Sequence, residues 1–444
     1  MTVRTRNHTI RAWCGLLSIA LLLASGCSIG KKMKEAPESL KIACCDQRTF
    51  DSQYLDFLRN VYPNTRFDIV PLYDSVFYQD GSDQALKKTL EEASPDLVIL
   101  NPQLYRSAAD QGLLSDLEQV AQARRFDLTP LSASMLDIAR DNQSGKLFGL
   151  SPTFRASAIF YNLSMFQRYG VPVPDREMSW DEILRLAGRF ASHNDNVDGT
   201  AGLQLTGIRE PFDWISLIAQ TEGLRFYDDS SGRLLFDSDG WKKVVADIVA
   251  AYRNGTFPLS GDNDLQDGFV TREDMLRGDL FGQGKAAMTI AGNEVLSRYR
   301  QQEPSFEWGL VPGPVQAGNP GKGGFVQVDA LLGIPNKSAH ADEAWEIIAY
   351  LMSEKTAKVY ASLDDGLSVY RQAVDWRQDP DYGTFYKLKP AITSVNPLSY
   401  SIRARIADLV NEEITKAAND EATVEETIAA IQSKGEELLF LKHE

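Results

Sequence analysis

The segment FGQGKAAMTIAGNE, residues 281–294, places a Gly-x-Gly-Lys turn directly before an apolar run, an order that can cradle a phosphate. A phosphate-binding loop needs GxxxxGK followed by Ser or Thr, because backbone amides wrap the phosphates and the hydroxyl holds magnesium. Counting back from Gly284, Asp279 stands where the first glycine belongs, and Ala286 replaces the hydroxyl. The spacing therefore argues against a nucleotide site and predicts that the apolar run is a buried strand.

Histidine, the usual general base of hydrolases, is scarce in this chain. Beyond the first 26 residues only His193, His340 and His443 occur, and none has a paired or HExxH spacing. No GxSxG nucleophile motif is present either. Paired carboxylates stay open in principle, since 61 acidic residues allow many pairs. These observations favour a protein that is not an enzyme and needs no cofactor.

Residues 194–199 (NDNVDG) carry oxygen ligands at alternate positions and a glycine at the sixth, as a calcium-binding loop does. The first position is Asn194, and Leu205 stands at the twelfth, where a bidentate Glu is expected. Calcium and a plain polar turn remain as alternatives, and no metal site is expected.

Cys44 and Cys45 are adjacent, and adjacent cysteines pair only with local backbone strain. Free thiols and a strained disulfide are both compatible with the sequence. No CxxC or spaced histidine makes them a metal site.

The N-terminus has the layout of a secretory signal peptide, with Arg4, Arg6 and Arg11 before an apolar stretch at 12–24. Ser-Gly-Cys at 25–27 resembles the lipobox of bacterial lipoproteins, which implies cleavage after residue 26, diacylation of Cys27 and a tether over 27–37. An ordinary cleaved signal with an incidental cysteine is the alternative. We expect the mature protein to be lipid-anchored at the cell membrane, on its extracytoplasmic side.

The chain is acidic, which argues against nucleic acid as a partner because nucleic-acid binding relies on basic patches. Its formal net charge is −15, and removing residues 1–26, which hold three arginines and no acid, makes it −18. The remaining length exceeds a usual single core, so two domains are expected. A monomer is anticipated.

Strand-like runs alternate with a helical stretch in the first hundred residues, a pattern typical of an α/β sheet. The runs are LKIACC (40–45), FDIVPL (67–72) and DLVIL just before Asn101, with a helix expected over 81–93. Ligands in such sheets bind beyond the carboxyl ends of the strands. That rule selects Asp46, Tyr73 and Asn101.

Helix signals mark the rest of the chain. Ser179 to Glu182 (SWDE) forms a capping box, which predicts a helix starting at Trp180, itself expected to be a packing residue. Residues 340–362 and 399–441 are also predicted to be helical.

Several segments in order resemble the family 1 extracellular solute-binding proteins, whose members are maltose-binding-protein-like. These segments are KLFGLSPTFRASAIFYNLSMFQRYGVPVPDREMSWDEILRLAGRF (146–190), FGQGKAAMTIAGNE, FEWGLVPGP (306–314) and GGFVQVDALLGIPNKSAHADEAWEIIAYLMSEKTA (323–357). The likeness covers nearly all of 38–441.

The resemblance implies a periplasmic-binding-protein-like α/β fold with two lobes, a hinge and an interlobe ligand cleft. Transferring that plan assigns 38–152 with 313–362 to lobe one and 153–312 with 363–444 to lobe two. It implies a receptor that delivers a small molecule, most simply an oligosaccharide, to the permease of an ABC importer. A ligand-sensing or interaction lipoprotein of the same fold is the alternative.

The resemblance also implies ligand residues. Glu210, Pro211 and Phe212 match a Glu-Pro-Tyr run that lines the sugar site of maltose-binding protein, with Trp214 nearby, although these aromatic residues could equally be core residues. Where the family often carries a stacking Trp, this chain has Asn293-Glu294, which weakens the case for a sugar and allows a more polar or cationic ligand. The complete candidate set is Asp46, Tyr73, Asn101, Phe154, Arg155, Glu210, Phe212, Trp214, Asn293, Glu294, Phe325, Gln327 and Tyr370.

Overall fold

The computed structural model describes residues 37–440 except for 73–75, 77–81, 142–143, 192–199, 209, 229, 258–277, 303, 324, 364–365, 391–397 and 399. The signal segment, Cys27, Tyr73 and the 194–199 loop lie outside the described residues.

The strands, in chain order, are β1 Ser39–Cys44, β2 Arg66–Pro71, β3 Leu97–Leu100, β4 Thr153–Asn162, β5 Ala201–Leu203, β6 Tyr227–Asp228, β7 Arg233–Leu234, β8 Ala286–Gly292, β9 Trp308–Pro312, β10 Val315–Gln316, β11 Asn319–Gly323, β12 Val326–Gln327, β13 Leu331–Gly333, β14 Leu367–Ser368 and β15 Lys389–Pro390.

The α-helices are α1 Gln47–Phe50, α2 Asp56–Arg59, α3 Ser82–Ala93, α4 Pro102–Asp110, α5 Leu117–Ala123, α6 Ala133–Ala139, α7 Leu163–Arg168, α8 Trp180–Ala191, α9 Pro211–Glu222, α10 Asp239–Arg253, α11 Asn293–Gln302, α12 Ala341–Leu351, α13 Glu354–Ser362, α14 Ala373–Arg377, α15 Tyr400–Ala418 and α16 Val424–Phe440. A π-helical turn, Asp51–Leu55, joins α1 to α2, and a 3-10 helix spans Tyr382–Tyr386.

The first sheet has the strand order β13-β3-β1-β2. β1 is parallel to both β2 and β3, as the alternation of strands and helices predicted, and β13 returns antiparallel to β3. The strands β1 and β3 are largely buried, because helices cover the sheet and leave few positions for polar side chains.

The second sheet is organised around β4, a ten-residue strand. Its carboxyl-terminal half pairs with β8 and β9, and its amino-terminal half pairs with β12 and β14. β5 extends this sheet from the far side of β8. Segments distant in sequence therefore converge on one strand.

Two short sheets complete the described pairing, β10-β11-β15 and the hairpin β6-β7. The buried apolar residues form two clusters. One surrounds the first sheet and extends along β4, and the other lies among α8, α9, α10 and α15 on the far side of β4 and β8.

The capping box at Ser179 is confirmed. The Ser179 amide donates to the Glu182 carboxylate over 2.9 Å, and the Glu182 amide donates to the Ser179 hydroxyl over 3.4 Å. Arg176 also binds this carboxylate, and its hydrogen bond, with that from the Ser179 amide, lowers the pKa of Glu182 to about 2.

Each of the two long helical stretches is divided in the structure. Ser353 caps α13 through the Thr356 amide, which separates it from α12. Asp420 adopts a positive φ of 62° between α15 and α16, and a Thr423–Glu426 capping box starts α16. At both breaks, a capping side chain accepts a hydrogen bond from a backbone amide in the first turn of the following helix, so a new helix starts there.

Within the described part of the chain, no helix combines the length and the apolar character that crossing a membrane requires.

Candidate functional site

Asp46 and Asn101 lie at the same edge of the first sheet. Asn101 directly follows β3 and Asp46 lies two residues beyond the end of β1, and these two strands are parallel neighbours with Ile42 opposite Leu97. Asp329 joins this edge from another direction, because Leu331, two residues later, pairs with Leu100. The structure thus brings an amide and two carboxylates to the carboxyl ends of the strands.

Both strand-end residues also cap helices. The Asp46 carboxylate accepts hydrogen bonds from the Thr49 amide and hydroxyl, each over 2.9 Å. These bonds, the one from the amide foremost, lower the pKa of Asp46, so the carboxylate stays charged. Asn101 accepts from the Leu104 amide over 2.8 Å and starts α4. Their orientations are therefore fixed before any ligand arrives.

Arg155 lies in the amino-terminal half of β4, directly opposite Gln327 of β12. Its guanidinium forms an ion pair with Asp329, and both side chains remain about half exposed, at 46% and 56%. The ion pair links β4 to the segment that leads into β13. We call the place where residues 153–156 of β4 pair with β12 and β14 the crossing. Sequence reasoning named Arg155 and Gln327 but missed Asp329, because nothing in the spacing connects positions so far apart.

A row of aromatic rings runs from the crossing into the second apolar cluster. The half-buried Phe325 lies 6.1 Å from Trp180, and Trp180 lies 6.4 Å from Trp214. Trp214 is 3% exposed and stacks on Phe257 at 3.9 Å. Trp180 is a packing residue, as predicted, with its indole nitrogen donating to Thr221. Two residues of this row, Phe325 and Trp214, were predicted to contact ligand, and Phe325 is the more exposed of the two.

Glu210 and Phe212 flank the start of α9. Glu210 is exposed and forms a reciprocal capping box with Asp213. The half-buried Phe212 donates a hydrogen bond from its backbone amide to the side-chain oxygen of Asn411 in α15 over 2.7 Å, and its ring approaches Phe226. Glu210 therefore contacts α9, and Phe212 contacts α15.

Asn293 and Glu294 follow the end of β8, where Gly292 pairs with Ser157 of β4. Asn293 is buried, and its amide donates to the Gly366 carbonyl over 3.4 Å. Glu294 is exposed and folds back over Gly292. Asn293 therefore lies at the crossing, close to β4 and to the turn before β14.

Phe154 and Tyr370 are buried at the same crossing. Phe154 is opposite Leu367 of β14, and its ring meets Tyr386 edge-on at 5.2 Å. The Tyr370 hydroxyl donates to the Met352 carbonyl over 2.9 Å. In this conformation both side chains contribute to the apolar cluster around the first sheet.

The adjacent cysteines are free thiols in the structure. Cys44 is 1% exposed, whereas Cys45 is half-buried at the strand edge beside Asp46. The Cys44 thiol donates a weak hydrogen bond to the Asp46 carbonyl over 3.9 Å. The interaction between the adjacent thiols lowers the pKa of Cys45 to about 6 and, together with burial, raises the pKa of Cys44.

The Gly-x-Gly-Lys turn has a structural role. Gly284 has a φ of 72°, and a Cβ on Gly282 would lie 2.6 Å from the Asp279 carboxylate. That buried carboxylate accepts from the Gly282 amide over 2.9 Å and from the Tyr299 hydroxyl, and it pairs with Arg298. The turn is thus built around an internal carboxylate, and β8 is a buried strand as predicted.

No group of three His, Cys, Asp or Glu side chains suited to a metal ion occurs within the described ranges. The arrangement at the edge of the first sheet and at the crossing instead offers carboxylates, amides, a guanidinium and an aromatic face. Such groups suit a polar organic molecule that carries several hydroxyls.

Known proteins resemble this chain in sequence and in fold. The multiple sugar-binding protein of Streptococcus mutans is 26% identical over 225 residues, 49% of this chain and 50% of that protein. The chain spans about half the length of such curated relatives.

Solved structures share the fold. The sugar-binding protein MalE of Xanthomonas citri aligns with a TM-score of 0.65 at 14% identity, over 91% of this chain and 98% of that one. A substrate-binding protein of an ABC transporter from Listeria monocytogenes, solved with cycloalternan, aligns with a TM-score of 0.59 at 16% identity, over 90% and 98%. These alignments confirm the periplasmic-binding-protein-like α/β fold.

The family description "bacterial extracellular solute-binding protein" matches residues 75–384, which is most of the chain and contains much of the crossing described above. On this match the chain belongs to the family of bacterial extracellular solute-binding proteins.

Proposed function

We propose that the protein binds a saccharide, most simply an oligosaccharide, and delivers it to the permease of an ABC importer. The observation that carries the proposal is the convergence of Asp46, Asn101, Asp329, Arg155 and Gln327 at one strand edge and the adjoining crossing. Sugar hydroxyls both donate and accept, so they are recognised by carboxylates, amides and a guanidinium held in fixed positions.

Phe325 supplies the apolar part of the proposed site. Its ring is half-buried against Trp180 and lies two residues before Gln327. Aromatic faces pack on the apolar faces of sugar rings, while the polar groups satisfy the hydroxyls. Glu210, Phe212 and Glu294 are proposed to contribute from the second sheet and its helices, and Tyr73, which lies outside the described residues, is kept as a candidate from the sequence.

The relatives support this substrate class. The similar protein of S. mutans is named a multiple sugar-binding protein, and a further relative from Bacillus subtilis, 20% identical over 76% of this chain and 74% of its own length, is named an arabinooligosaccharide-binding protein.

Calorimetric titration of the purified chain against maltotriose, mannotriose, arabinotriose, mannitol and tagatose tests the proposal. We expect at least one saccharide to bind, and Gln327→Ala to weaken that binding. Gln122→Ala, an exposed glutamine on α5 remote from the crossing in sequence, is the matched control. If the whole panel fails to bind, the saccharide proposal is wrong.

We also propose that Cys27 is the lipid anchor that holds the protein at the membrane beside its permease. Cys27→Ser should release the chain from the membrane fraction while leaving saccharide affinity unchanged. Retention of the variant in membranes would contradict the anchor. Co-purification of the anchored protein with permease subunits tests the partner.

The division into lobes, 38–152 with 313–362 and 153–312 with 363–444, is likewise a proposal. The two apolar clusters and the crossing at β4 support it. Closure of the lobes around ligand would shrink the radius of gyration in small-angle scattering. An unchanged radius at saturating saccharide would argue against hinge closure.

A further inference from the structure

We propose, building on the function above, that the bound saccharide carries a negatively charged group and that Lys322 and Lys389 bind this group. The acidic class includes saccharides with a carboxylate, such as uronic acids, and saccharides with a phosphate, since both present anionic oxygens. The two lysines belong to the small sheet β10-β11-β15, which lies beside the crossing.

Lys322 of β11 and Lys389 of β15 lie directly opposite each other. The two strands are parallel, and their register pairs Lys322 with Lys389 and Gly323 with Pro390. Leu388 is buried, and a Cβ on Gly323 would lie 2.6 Å from its side chain. Because successive residues alternate between the two faces of a strand, both lysines share the opposite face of the sheet, which is open to solvent.

The two ammonium groups are unpaired within the part of the chain that the structure describes. No ion pair, side-chain hydrogen bond or ring contact with a described residue involves Lys322 or Lys389. Carboxylates of the surroundings bind other groups. Glu222 accepts from the amide that follows β10 over 3.3 Å, and Asp329 forms its ion pair with Arg155.

A pair of like charges at opposite positions of a sheet lowers stability. The pair is also unexpected by composition, since the chain holds 61 acidic and 46 basic residues. Lysines often protect an exposed sheet edge from pairing, which accounts for Lys389 on the edge strand β15. Edge protection does not account for Lys322, because β11 is the central strand of the three. A negatively charged ligand accounts for both positions.

The lysine pair lies next to the proposed ligand site. β15 is adjacent to β12, which carries Gln327, and also to α6. Phe325 follows Lys322 by three residues, which span at most about 11 Å of chain. The Lys322 ammonium, at the end of a long side chain, can therefore reach an anionic group on a sugar that packs against Phe325.

Recognition at this pair is electrostatic and involves no covalent step. Each ammonium donates charge-assisted hydrogen bonds to the anionic oxygens, and the bound negative charge offsets the repulsion between the lysines. The Arg155 guanidinium contributes less to this task, because Asp329 already neutralises it. The carboxylates at the strand edge are left to accept hydrogen bonds from sugar hydroxyls.

Calorimetric titration at low salt compares acidic saccharides with their neutral counterparts. The pairs are trigalacturonate with galactotriose, which tests a carboxylate, and trehalose phosphate with trehalose, which tests a phosphate. We expect the acidic member of at least one pair to bind about tenfold more tightly, and its affinity to fall as NaCl is added. Equal or tighter binding of the neutral member in both pairs would overturn the acidic class.

Lys322→Gln and Lys389→Gln separate ligand recognition from stability. Each should weaken the acidic saccharide about tenfold, because a hydrogen bond to a charged group is lost, and should leave the affinity for its neutral counterpart unchanged. Neither should lower the melting temperature of the unliganded chain, because the repulsion is relieved. The matched control is the double variant Lys87→Gln and Lys88→Gln, which removes two exposed charges from α3. Unchanged affinity of both single variants for the acidic saccharide would overturn the role of the pair.

Pyrophosphate tests the lysine pair without any sugar. We expect it to raise the melting temperature of the unmodified chain above the value in NaCl of equal ionic strength. The shift should be much smaller in the chain that carries both Lys322→Gln and Lys389→Gln. If no saccharide binds, acidic or neutral, the proposed function fails and the pyrophosphate comparison alone decides the anion site. Equal shifts in the two chains would then overturn that site.

Discussion

Arg155 of β4 and Asp329 form an ion pair that joins the second sheet to the connection between β12 and β13, through which the chain returns to the first sheet. Both side chains are about half exposed. An exposed pair contributes little to stability because water screens it. We therefore expect this ion pair to act on ligand binding, through its position beside Gln327, Asn101 and Asp46, more than on stability.

Asp329→Ala tests this position. We expect the free energy of unfolding to change by less than about 1 kcal/mol, since the pair is exposed. Saccharide affinity should fall about tenfold or more, because hydrogen bonds to a charged group contribute about 1.5 to 3 kcal/mol. Urea unfolding and calorimetric titration measure the two quantities.

The control for Asp329→Ala is Asp68→Ala, which breaks an exposed ion pair with Arg66 on β2, with side chains 41% and 68% exposed. It should leave both quantities nearly unchanged. Equal affinities of the Asp329→Ala and unmodified chains would remove Asp329 from the proposed site.

Trp214→Ala tests a residue that sequence reasoning placed equally between ligand site and core. Trp214 is buried and stacked on Phe257, so the truncation should lower the free energy of unfolding by about 3 to 5 kcal/mol. Trp214→Phe should cost much less, because a ring remains against Phe257. A folded Trp214→Ala chain with normal saccharide affinity would exclude Trp214 from the ligand contacts.

Glu182→Gln tests the capping box through its pH dependence. The folded carboxylate has a pKa of about 2 against an ordinary value of 4.5, because Arg176 and the Ser179 amide bind its charged form. Its stabilisation is therefore complete above about pH 4.5 and is lost as the pH falls toward 2. Gln keeps the hydrogen-bond geometry but not the charge, and we expect a loss of about 1 kcal/mol at pH 7.

Urea unfolding at pH 7, 4 and 3 measures how the difference between the Glu182→Gln and unmodified chains shrinks. Glu426→Gln is the parallel test, since the hydrogen bonds from Thr423 in a second capping box also lower the pKa of Glu426, and its stability difference should shrink in the same direction. A Glu182→Gln difference that stays constant from pH 7 to pH 3 would refute the assignment.

Gly282→Ala and Gly284→Ala test the turn before β8. A methyl on Gly284 meets the left-handed backbone penalty of roughly 1 to 2 kcal/mol. A methyl on Gly282 displaces the Asp279 carboxylate from Tyr299 and Arg298, so the cost should be larger. Gly318→Ala is the control, because nothing lies within 4 Å of its added Cβ. Thermal unfolding ranks the three variants, and equal melting temperatures would contradict this role for the turn.

Local patterns in the sequence predicted the elements well. The β8 strand, the SWDE capping box and the parallel strands that precede Asp46 and Asn101 all follow from residue types within a few positions of one another. The break between α12 and α13 was missed, because apolar periodicity continues through Ser353 and only its capping bond to Thr356 interrupts the helix.

The candidate site was less predictable, since its members meet through pairing over long distances in sequence. Asp329 meets Arg155 only when β12 lies beside β4. Nothing in the local sequence distinguishes Asp329 from the other acidic residues among the 61 in the chain. Trp214 illustrates a second difficulty. The sequence does not distinguish a tryptophan that stacks on a core residue, as Trp214 does on Phe257, from one that stacks on a sugar.

The return of β13 to pair with β3 has a consequence for how the chain acquires its structure. Leu331 lies opposite Leu100, so the first sheet stays open at one edge until most of the polypeptide has emerged. Contacts between such distant segments slow folding, because a long loop must close before they form. A chain that completes its first sheet so late is therefore expected to stay incompletely folded for longer than one whose sheet closes between neighbouring segments.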